Sequence, residues 1–327
     1  MQYEEAKEIL GKEKIAILGY GKVGAAHALN LRDSGLNVIV GQREGTPSWN
    51  KAVEEGWKPK ETLFSLEEAS QRATFICYLL SDIGQIQFWT TLYKYLTAGK
   101  TLLFASGFSI AFADQTKVLV PKEVDVILIG TKGPAYALRQ LFLSGEGVNA
   151  SYAVHQDVSG KAKEKTLAYG KAIGVTSLFE TTFEKEAHSD LVGERGALLG
   201  GFAALLETQY ELLRRKGHSP DEAFNETVEE LTQSLIPFIA ENGMDALYRI
   251  CSTTAQRGAL DWLPRFKKAL QPLFEELYEG VASGKEAEAV ITQSRQSDYK
   301  NQLDQELKQM AEKEIWQVGK RVRSQRH

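Results

Sequence analysis

Short apolar runs alternate with helix-like stretches from residue 14 to about residue 182. Runs bounded by Gly, Asp or Ser and separated by helical segments are typical of βαβ units, which build a parallel sheet with helices on both faces. The pattern therefore predicts a doubly wound α/β fold for this part of the chain. The predicted strands are residues 15–18, 37–40, 74–80, 101–104, 124–129 and 151–154.

After residue 184 the apolar positions repeat with a period of 3.6, which is typical of amphipathic helices. We expect glycines and the prolines Pro237, Pro264 and Pro272 to interrupt these helices. Residues 1–183 should form the α/β domain and residues 184–327 an all-helical domain, packed closely because no flexible linker separates them. The predicted helices are residues 198–216, 220–240, 263–281 and 298–322.

Composition and charge narrow the classes of protein that fit this pattern. With 43% apolar and 25% charged residues the chain has an ordinary globular composition, and its apolar runs are far too short to span a bilayer. Lys and Arg total 39 against 43 Asp and Glu, so a net charge of −4 offers no broad positive field to a nucleic acid. We therefore expect neither a membrane nor a nucleic-acid partner.

Cysteine usage and the first residues bear on the location of the protein. The two cysteines, Cys77 and Cys251, cannot build a disulfide framework or a cysteine-based zinc site. The chain starts with acidic residues and lacks the features of a signal or transit peptide. We therefore expect a cytoplasmic protein.

A glycine-rich turn follows the first predicted strand and precedes an apolar-periodic helix at residues 25–34. In the dinucleotide-binding fingerprint, glycines at this spacing allow a tight turn, a close approach of pyrophosphate and close packing of helix on strand. The pyrophosphate then lies at the N-terminus of the helix. The turn predicts a Rossmann-type dinucleotide site. Its residues are Gly19, Tyr20, Gly21, Lys22, Val23 and Gly24.

The end of the second strand indicates which dinucleotide binds. This position often carries an acid that accepts from the ribose 2′-hydroxyl of NAD, but here the chain reads Gln42-Arg43-Glu44. Arg43 can pair with a 2′-phosphate, and the hydroxyls of Thr46 and Ser48 can donate to its remaining oxygens. We therefore expect NADPH rather than NADH, with Glu44 as the one residue of the loop that fits a 2′-phosphate less well.

Two pairs of acidic residues have the spacing of neighbours on one helix face, Asp190 with Glu194 and Glu226 with Glu230. Like charges at this spacing repel by roughly 0.2–0.5 kcal/mol unless a cation lies between them. The two pairs could together hold a hard divalent cation. Because so many acids produce several such pairs by chance, spacing alone leaves the alternative of solvated helix faces open.

Motifs along nearly the whole chain combine into a recognisable set. They are residues 19–35, 40–45, 132–134, 153–160, 180–182, 189–196, 225–230, 251–255 and 318–320. The set resembles the ketol-acid reductoisomerase (acetohydroxyacid isomeroreductase) family. Several motifs look like those of the plant form, whereas the length is that of the short form, which has one helical domain rather than a duplicated one.

The resemblance implies a function for both acid pairs. In that family two Mg2+ ions are held by acids at the positions of Asp190, Glu194, Glu226 and Glu230, and Glu230 also relays protons to the substrate. Carboxylate oxygens suit Mg2+, and two neighbouring ions can polarise a ketone and an alkoxide together. The resemblance therefore turns a weak spacing signal into an expected two-metal site.

The resemblance also implies roles near the cofactor and the substrate. Lys132 matches the family's catalytic lysine, and Ser252 matches a serine that contacts the substrate. Asp82 and Gln85 occupy the cofactor-loop positions after the third strand, and Gly133 lies beside the nicotinamide end of the cofactor. All five positions are therefore candidate site residues.

One departure from the family concerns an active-site histidine. The family has His-Gly-Phe after the strand at residues 101–104, whereas this chain places Ser106 before Gly107 and Phe108. Ser106 takes the catalytic position, where a hydroxyl can hold a water but cannot act as a near-neutral acid or base. The pair Lys22-Val23 likewise replaces the family's usual Ser-Gln, which bears on cofactor binding.

The implied activity is an NADPH- and Mg2+-dependent conversion of 2-acetolactate or 2-aceto-2-hydroxybutyrate to 2,3-dihydroxy-3-methyl acids, in valine and isoleucine biosynthesis. Alkyl migration precedes hydride transfer. Ser106 leaves open a divergent paralogue that reduces a related 2-keto or 3-keto-2-hydroxy acid without migration. The third possibility is a nucleotide-binding regulator without catalysis, which the retention of Lys132, Ser252 and the four acids disfavours.

The resemblance further implies an assembly. In the short form the helical domain is knotted, and the two acid pairs that face each other come from different chains. We therefore expect a homodimer with shared active sites, which a higher oligomer can incorporate.

Overall fold

The computed structural model describes residues 3–326, so residues 1, 2 and 327 lie outside the described part. The chain forms two compact units, the first ending at Ser189 and the second beginning at Asp190. This division falls a few residues beyond the boundary expected at residue 183. Within residues 3–326, no helix is both long enough and apolar enough to cross a membrane.

Eight strands form one sheet in the N-terminal unit. They are β1 (Ile15–Leu18), β2 (Val38–Gly41), β3 (Leu63–Phe64), β4 (Phe75–Tyr78), β5 (Thr101–Phe104), β6 (Asp125–Thr131), β7 (Val148–Gln156) and β8 (Val175–Glu180). Their order is β3-β2-β1-β4-β5-β6-β7-β8, and only β6 and β7 pair antiparallel. β1 lies where the order reverses, which is where open α/β sheets bind ligands. The doubly wound α/β fold is confirmed.

The sheet differs from the sequence prediction in three strands. β7 is antiparallel because it starts beside the end of β6, where Thr131 pairs with Ala150, so the chain need not cross the sheet. The apolar pattern misses β8, because this strand lies at the sheet edge with most of its residues exposed. It also misses β3, which has only two residues.

Helices cover both faces of this sheet. They are α1 (Tyr3–Leu10), α2 (Lys22–Asp33), α3 (Pro47–Glu54), α4 (Leu66–Arg72), α5 (Asp82–Tyr93), α6 (Phe108–Ala111), α7 (Ala113–Thr116), α8 (Ala135–Leu143), α9 (Ala162–Ala172) and α10 (Phe183–Gly193). Successive strand residues point to opposite faces, so Ile15 and Ile17 pack against α1, α2, α8 and α9. Ala16 and Leu18 pack on the other face, with α4 and α5.

The C-terminal unit is helical, as predicted. Its α-helices are α11 (Gly200–Arg215), α12 (Pro220–Phe224), α13 (Ile236–Asn242), α14 (Met244–Ile250), α15 (Thr253–Ala282), α16 (Lys285–Ser294), α17 (Tyr299–Glu312) and α18 (Glu314–Ser324), with π-helical turns at Glu194–Leu198, Asn225–Glu229 and Leu231–Leu235. A small core joins α11, α12 and α18 through Leu206, Tyr210, Phe224, Ile315 and Val318.

The prediction that prolines interrupt these helices is wrong for two of the three. α15 continues through Pro264 and Pro272. Each proline removes one backbone donor, but they are far enough apart for regular helical turns to form between them. Pro237 lies in the first turn of α13, where the missing N–H has no intrahelical partner to lose.

α15 leaves a long apolar face uncovered. Of its 30 residues, all within the described part of the chain, only Val281 is buried. Exposed apolar side chains on it include Trp262 and Leu273. An exposed apolar surface of this extent on a helix marks an interaction site. A groove of about 670 Å³ along the helix is lined by apolar residues, among them Leu263, Phe266, Leu270, Phe274 and Tyr278.

A buried histidine makes the N-terminal unit sensitive to acid. His27 in α2 has its Nδ1 atom 2.8 Å from the Tyr169 hydroxyl, and its Nε2 atom has no hydrogen-bond partner among the described residues. Burial lowers the pKa of His27 to about 4, below the value of about 6.5 expected in the unfolded chain. The folded state therefore binds fewer protons, and the stability present above pH 6.5 is lost as the pH falls toward 4.

We expect this histidine to lower the free energy of unfolding by about 2 kcal/mol between pH 7 and pH 5. Urea unfolding of the wild type and of His27→Gln at both pH values measures the effect. Because Gln does not titrate, the free energy of unfolding of the variant should fall by about 2 kcal/mol less than that of the wild type between the two pH values. His218→Gln, at a half-exposed site, serves as the control. An unchanged pH dependence in His27→Gln would contradict the assignment.

Candidate active site

The glycine-rich turn connects the end of β1 to the start of α2. A side chain cannot replace Gly24, because its Cβ would lie 1.9 Å from the carbonyl oxygen of Gly19. Gly21 is the N-cap of α2 and makes no side-chain cap, so the first-turn N–H groups remain available to a ligand. Lys22 and Val23 are exposed on this turn. Such a helix N-terminus suits a phosphate group.

Tyr20 departs from the other residues of the turn because its side chain points into the core. It is 1% exposed, its hydroxyl donates to Glu55 Oε2 at 2.5 Å, and it accepts from Trp57 Nε1 at 2.8 Å. Only its backbone is left to face a cofactor.

The loop after β2 places the three residues expected to recognise a 2′-phosphate. Arg43 is exposed, and Ser48 lies in the first turn of α3. The Thr46 hydroxyl caps α3 by accepting from Trp49 N at 3.3 Å, and it donates to the Arg43 carbonyl oxygen at 2.8 Å. Thr46 therefore shapes the loop around Arg43. A cleft of about 210 Å³ beside the loop is lined by Arg43, Leu66, Leu80, Gly84, Gln87 and Phe88.

Asp82 and Gln85 lie in the first turn of α5, after β4. The buried Gln85 amide donates to the carbonyl oxygens of Tyr78 at 3.0 Å and Leu80 at 3.1 Å, and accepts from the Ser109 hydroxyl at 2.6 Å. These bonds commit the Gln85 side chain to holding the loop that follows β4. Gln85 can therefore influence a cofactor at this position only through the loop that its side chain holds.

A buried carboxylate connects the ends of β5 and β6. Glu186 of α10 accepts from Gly107 N at 2.6 Å, and its Oε1 atom lies 3.6 Å from Lys132 Nζ. Its side chain is 2% exposed, whereas that of Lys132 is 35% exposed, so the ammonium group faces outward from a buried anion. The structure therefore brings Lys132 and the loop of Ser106 to one place.

Ser106 directly precedes Gly107, whose N–H bonds Glu186, and Gly133 directly follows Lys132. The Ser106 hydroxyl oxygen accepts from Phe108 N at 3.2 Å, which leaves its own proton free to donate to a water or ligand. Gly133 follows Lys132 with φ of +149°, a backbone conformation that favours glycine, and is exposed. The position expected beside the nicotinamide is thus open on its outer side.

Sequence reasoning missed Glu186, although a signal was present. Glu186, Asp190 and Glu194 continue one i,i+4 series that runs along α10 into the π-helical turn after it, so the acid pair is the last part of a row of three. The first of the three is buried and paired with a lysine, and the other two lie nearer the helix end. Extending the spacing search by one turn would have found it.

Asp190 and Glu194 stand where α10 gives way to a π-helical turn at Glu194–Leu198. Burial and then the nearby Asp190 carboxylate raise the pKa of Glu194, and Arg195 partly offsets the shift. Arg195 is itself held by Glu286, whose Oε2 lies 2.8 Å from its Nε atom. A repelling carboxylate pair on a π-turn is the kind of local departure found at functional sites.

Glu226 and Glu230 are exposed on and beside the π-helical turn at Asn225–Glu229. Glu229, between them, is instead bound by Arg326, whose Nε donates to its Oε1 at 3.0 Å. Within residues 3–326, no three His, Cys, Asp or Glu side chains form a group that could hold a metal ion. The described part of one chain therefore carries two acid pairs but does not bring them together into one site.

Ser252 caps the N-terminus of α15. Its hydroxyl oxygen accepts from Ala255 N at 3.3 Å, and the residue is exposed. The hydroxyl proton is thus not used by the cap and can donate to a ligand. This geometry agrees with a binding role and does not itself identify a ligand.

Two family models match the chain in succession. The model of the acetohydroxy acid isomeroreductase NADPH-binding domain matches residues 9–178, and that of the ketol-acid reductoisomerase C-terminal domain matches residues 183–327. Together they cover the fingerprint and both acid pairs.

Full-length relatives agree with the family models. The chain is 50% identical over 323 residues to the mitochondrial ketol-acid reductoisomerase of Neurospora crassa, covering 99% of this chain and 80% of that protein. It is 51% identical over 323 residues to the ketol-acid reductoisomerase (NAD(+)) of Desulfosudis oleivorans, covering 99% and 92%. A solved NADH-preferring ketol-acid reductoisomerase from an uncultured archean matches with a TM-score of 0.86 at 31% identity, covering 97% of this chain and 96% of that one.

We expect Glu186→Ala to lower the free energy of unfolding by about 2 kcal/mol, because it leaves the buried Gly107 N–H without an acceptor and removes a buried partner of Lys132. Urea unfolding measures the change. Glu184→Ala, at an exposed position of the same helix, should stay within about 0.5 kcal/mol of the wild type. Equal losses in the two variants would show that Glu186 does not hold the end of β5.

Proposed function

The chain belongs to the ketol-acid reductoisomerase family, and we propose that it converts 2-acetolactate and 2-aceto-2-hydroxybutyrate to 2,3-dihydroxy-3-methyl acids with NADPH and Mg2+. This is a step of branched-chain amino acid biosynthesis. The observation that carries the proposal is that the similarity covers both units, the fingerprint of the first and the acid pairs of the second. The relatives at about 50% identity are named for the full reaction, which favours it over reduction without migration.

The cofactor is a nicotinamide dinucleotide, and we propose NADPH in particular. The open space around Gly21, where a Cβ would meet no atom within 4 Å, and the uncapped N-terminus of α2 fit a pyrophosphate. Arg43 lines the cleft beside the loop that follows β2, and its guanidinium group can pair with the 2′-phosphate that distinguishes NADPH from NADH. Since one relative is named for NAD(+), the preference depends on this loop and not on the family as a whole.

The acid pairs fit a Mg2+ site by their chemistry. Asp190 and Glu194 supply carboxylate oxygens, the donors that Mg2+ prefers. A cation would offset the burial and the repulsion by Asp190 that raise the pKa of Glu194. Glu226 and Glu230 supply the second exposed pair. When bound, Mg2+ polarises the substrate oxygens, which favours alkyl migration and then reduction of the resulting ketone by hydride from NADPH.

The residues of the chain then bind the substrate and move its proton. Lys132, its charge balanced by Glu186, can donate to a substrate oxygen. Glu230 accepts the hydroxyl proton and returns a proton to the product. The hydroxyl protons of Ser252 and Ser106 can donate to the substrate and to a water. A serine at position 106 does not titrate near neutral pH, and we assign the role of acid and base to Glu230, as the family resemblance implies.

We propose that the active unit is a homodimer. The exposed face of α15 is apolar over most of its length and suits the large apolar interface of an obligate dimer. Within one chain the two acid pairs do not come together, and a second copy is the simplest source of a partner for each pair. The relative from Neurospora crassa is named mitochondrial, so the cytoplasmic location expected from the sequence stays a prediction.

Substituting the acids tests the proposed reaction. Asp190→Asn and Glu226→Gln should each lower Mg2+-dependent turnover of 2-acetolactate about 100-fold or more, because a ligand and its charge are lost. NADPH affinity, measured by fluorescence titration, should stay within about 3-fold, since the fingerprint lies in the other unit. Glu211→Gln, at an exposed acid paired with Arg215, is the matched control. Turnover at the wild-type rate in both acid variants would refute the metal site.

A double variant tests the cofactor preference. Arg43→Ala with Ser48→Asp removes a cation that pairs with the 2′-phosphate and adds a carboxylate that repels it but can accept from a 2′-hydroxyl. The ratio of kcat/KM for NADPH to that for NADH should fall about 100-fold or more, because a charge-assisted hydrogen bond is removed and a charge repulsion is added. A wild-type enzyme that already prefers NADH would contradict the assignment of Arg43.

A further inference from the structure

α3 is only weakly anchored by apolar contacts. This helix begins directly after Thr46 and so carries the loop proposed to bind the 2′-phosphate. Of its eight residues, all within the described part of the chain, only Ala52 is buried, and Trp49 packs against the core while partly exposed. The position of α3 must therefore depend on contacts at its ends as well as on the core.

A partly buried polar cluster fixes the C-terminal end of α3. Glu55 is the C-cap residue of the helix, and its Oε2 atom accepts from the Tyr20 hydroxyl at 2.5 Å. Trp57, two residues further on, is 2% exposed and donates from Nε1 to the same hydroxyl at 2.8 Å. The Tyr20 and Trp57 rings also meet edge to face, with centroids 6.3 Å apart. The Tyr20 hydroxyl thus joins two groups at the end of α3.

The other helix of the cofactor site is tied to the same cluster. Arg32 of α2 donates from an Nη atom to the Glu55 carbonyl oxygen at 2.8 Å, and its guanidinium carbon lies 5.0 Å from the centre of the Trp57 ring. Tyr20 lies in the turn that precedes α2. Both ends of the fingerprint segment, Tyr20 before α2 and Arg32 near its end, therefore contact the end of α3.

Burial and the neighbouring Glu55 carboxylate raise the pKa of Tyr20 well above its usual range. The hydroxyl therefore stays protonated and remains a donor near neutral pH. Substituting Phe for Tyr20 removes this donor while keeping the ring, so the contact can be tested without emptying the core.

We propose that Tyr20 is a positioning residue that holds the 2′-phosphate loop in register with the pyrophosphate turn and so contributes to the choice of NADPH over NADH. The inference rests on the proposed use of a dinucleotide. The pyrophosphate is common to both dinucleotides, whereas the 2′-phosphate is bound only if the loop at the start of α3 stands at the right distance from the turn. Loosening the end of α3 should therefore weaken NADPH binding more than NADH binding.

The test measures dissociation constants of the full-length protein for NADPH and NADH by isothermal titration calorimetry. Tyr20→Phe should weaken NADPH binding about 10-fold and NADH binding less than about 3-fold, in keeping with the removal of one hydrogen bond to a charged group. Glu55→Ala should give the same selective loss, and the double variant should be no worse than either single one. The matched control is Tyr95→Phe, because Tyr95 donates to Glu67 at 2.5 Å at the protein surface, away from α3.

The outcomes separate this inference from the proposed function. Equal weakening of both dinucleotides, or a lowered Tm with an unchanged ratio of affinities, would show that Tyr20 is only structural. If Tyr20→Phe does not fold, the selective loss or its absence in Glu55→Ala decides the question. A wild-type protein that binds neither dinucleotide refutes the proposed function itself, and the inference with it.

Discussion

The uncovered apolar face of α15 constrains the rest of the molecule. A helix of 30 residues with a single buried position cannot keep its aromatic and aliphatic side chains in water without a large loss of hydrophobic stabilisation. The small core formed by α11, α12 and α18 does not cover this face. We propose that a second copy of the chain covers it, so that folding of the helical unit and assembly become one process.

The arrangement of the carboxylates depends on the same assembly. Asp190 and Glu194 repel each other, and Glu226 and Glu230 lie exposed around another π-helical turn, so in the proposed site a cation would stabilise each pair. Two carboxylates alone hold Mg2+ weakly, because the ion then keeps most of its waters. Bringing a second pair from another chain would complete the set of ligands, and the interface that stabilises the helices would also create the site.

Much of the fold could be predicted because its signals are local. The strand at Ile15–Leu18, the glycine turn after it and the helical second half all follow from patterns that neighbouring residues create together. β8 was not predictable in this way, since its pairing with β7 and not its own apolar pattern makes it a strand. The continuity of α15 through two prolines likewise depends on the intact turns around them and not on the prolines alone.

The candidate site shows the same division between local and distant signals. The glycines of the turn and the acid pairs have readable spacings, whereas the roles of Glu186 and Tyr20 come from contacts with residues far away in the chain. Glu186 bonds a residue 79 positions earlier, and the Tyr20 hydroxyl contacts Glu55, 35 positions later. Without the fold, nothing distinguishes Glu186 from other acids, and nothing shows that the side chain of Tyr20 points into the core.

Subunit complementation tests the shared site most directly. Purified Asp190→Asn and Glu226→Gln chains, each inactive alone, are mixed under conditions that allow exchange, and heterodimers are verified by mass spectrometry. If each site combines the Asp190/Glu194 pair of one chain with the Glu226/Glu230 pair of the other, a mixed dimer regains one intact site of its two. Because about half of the dimers in a 1:1 mixture are mixed, the mixture should recover about a quarter of the wild-type turnover of 2-acetolactate. Proven heterodimers without recovered turnover would contradict the shared site and place all four acids of each site in one chain.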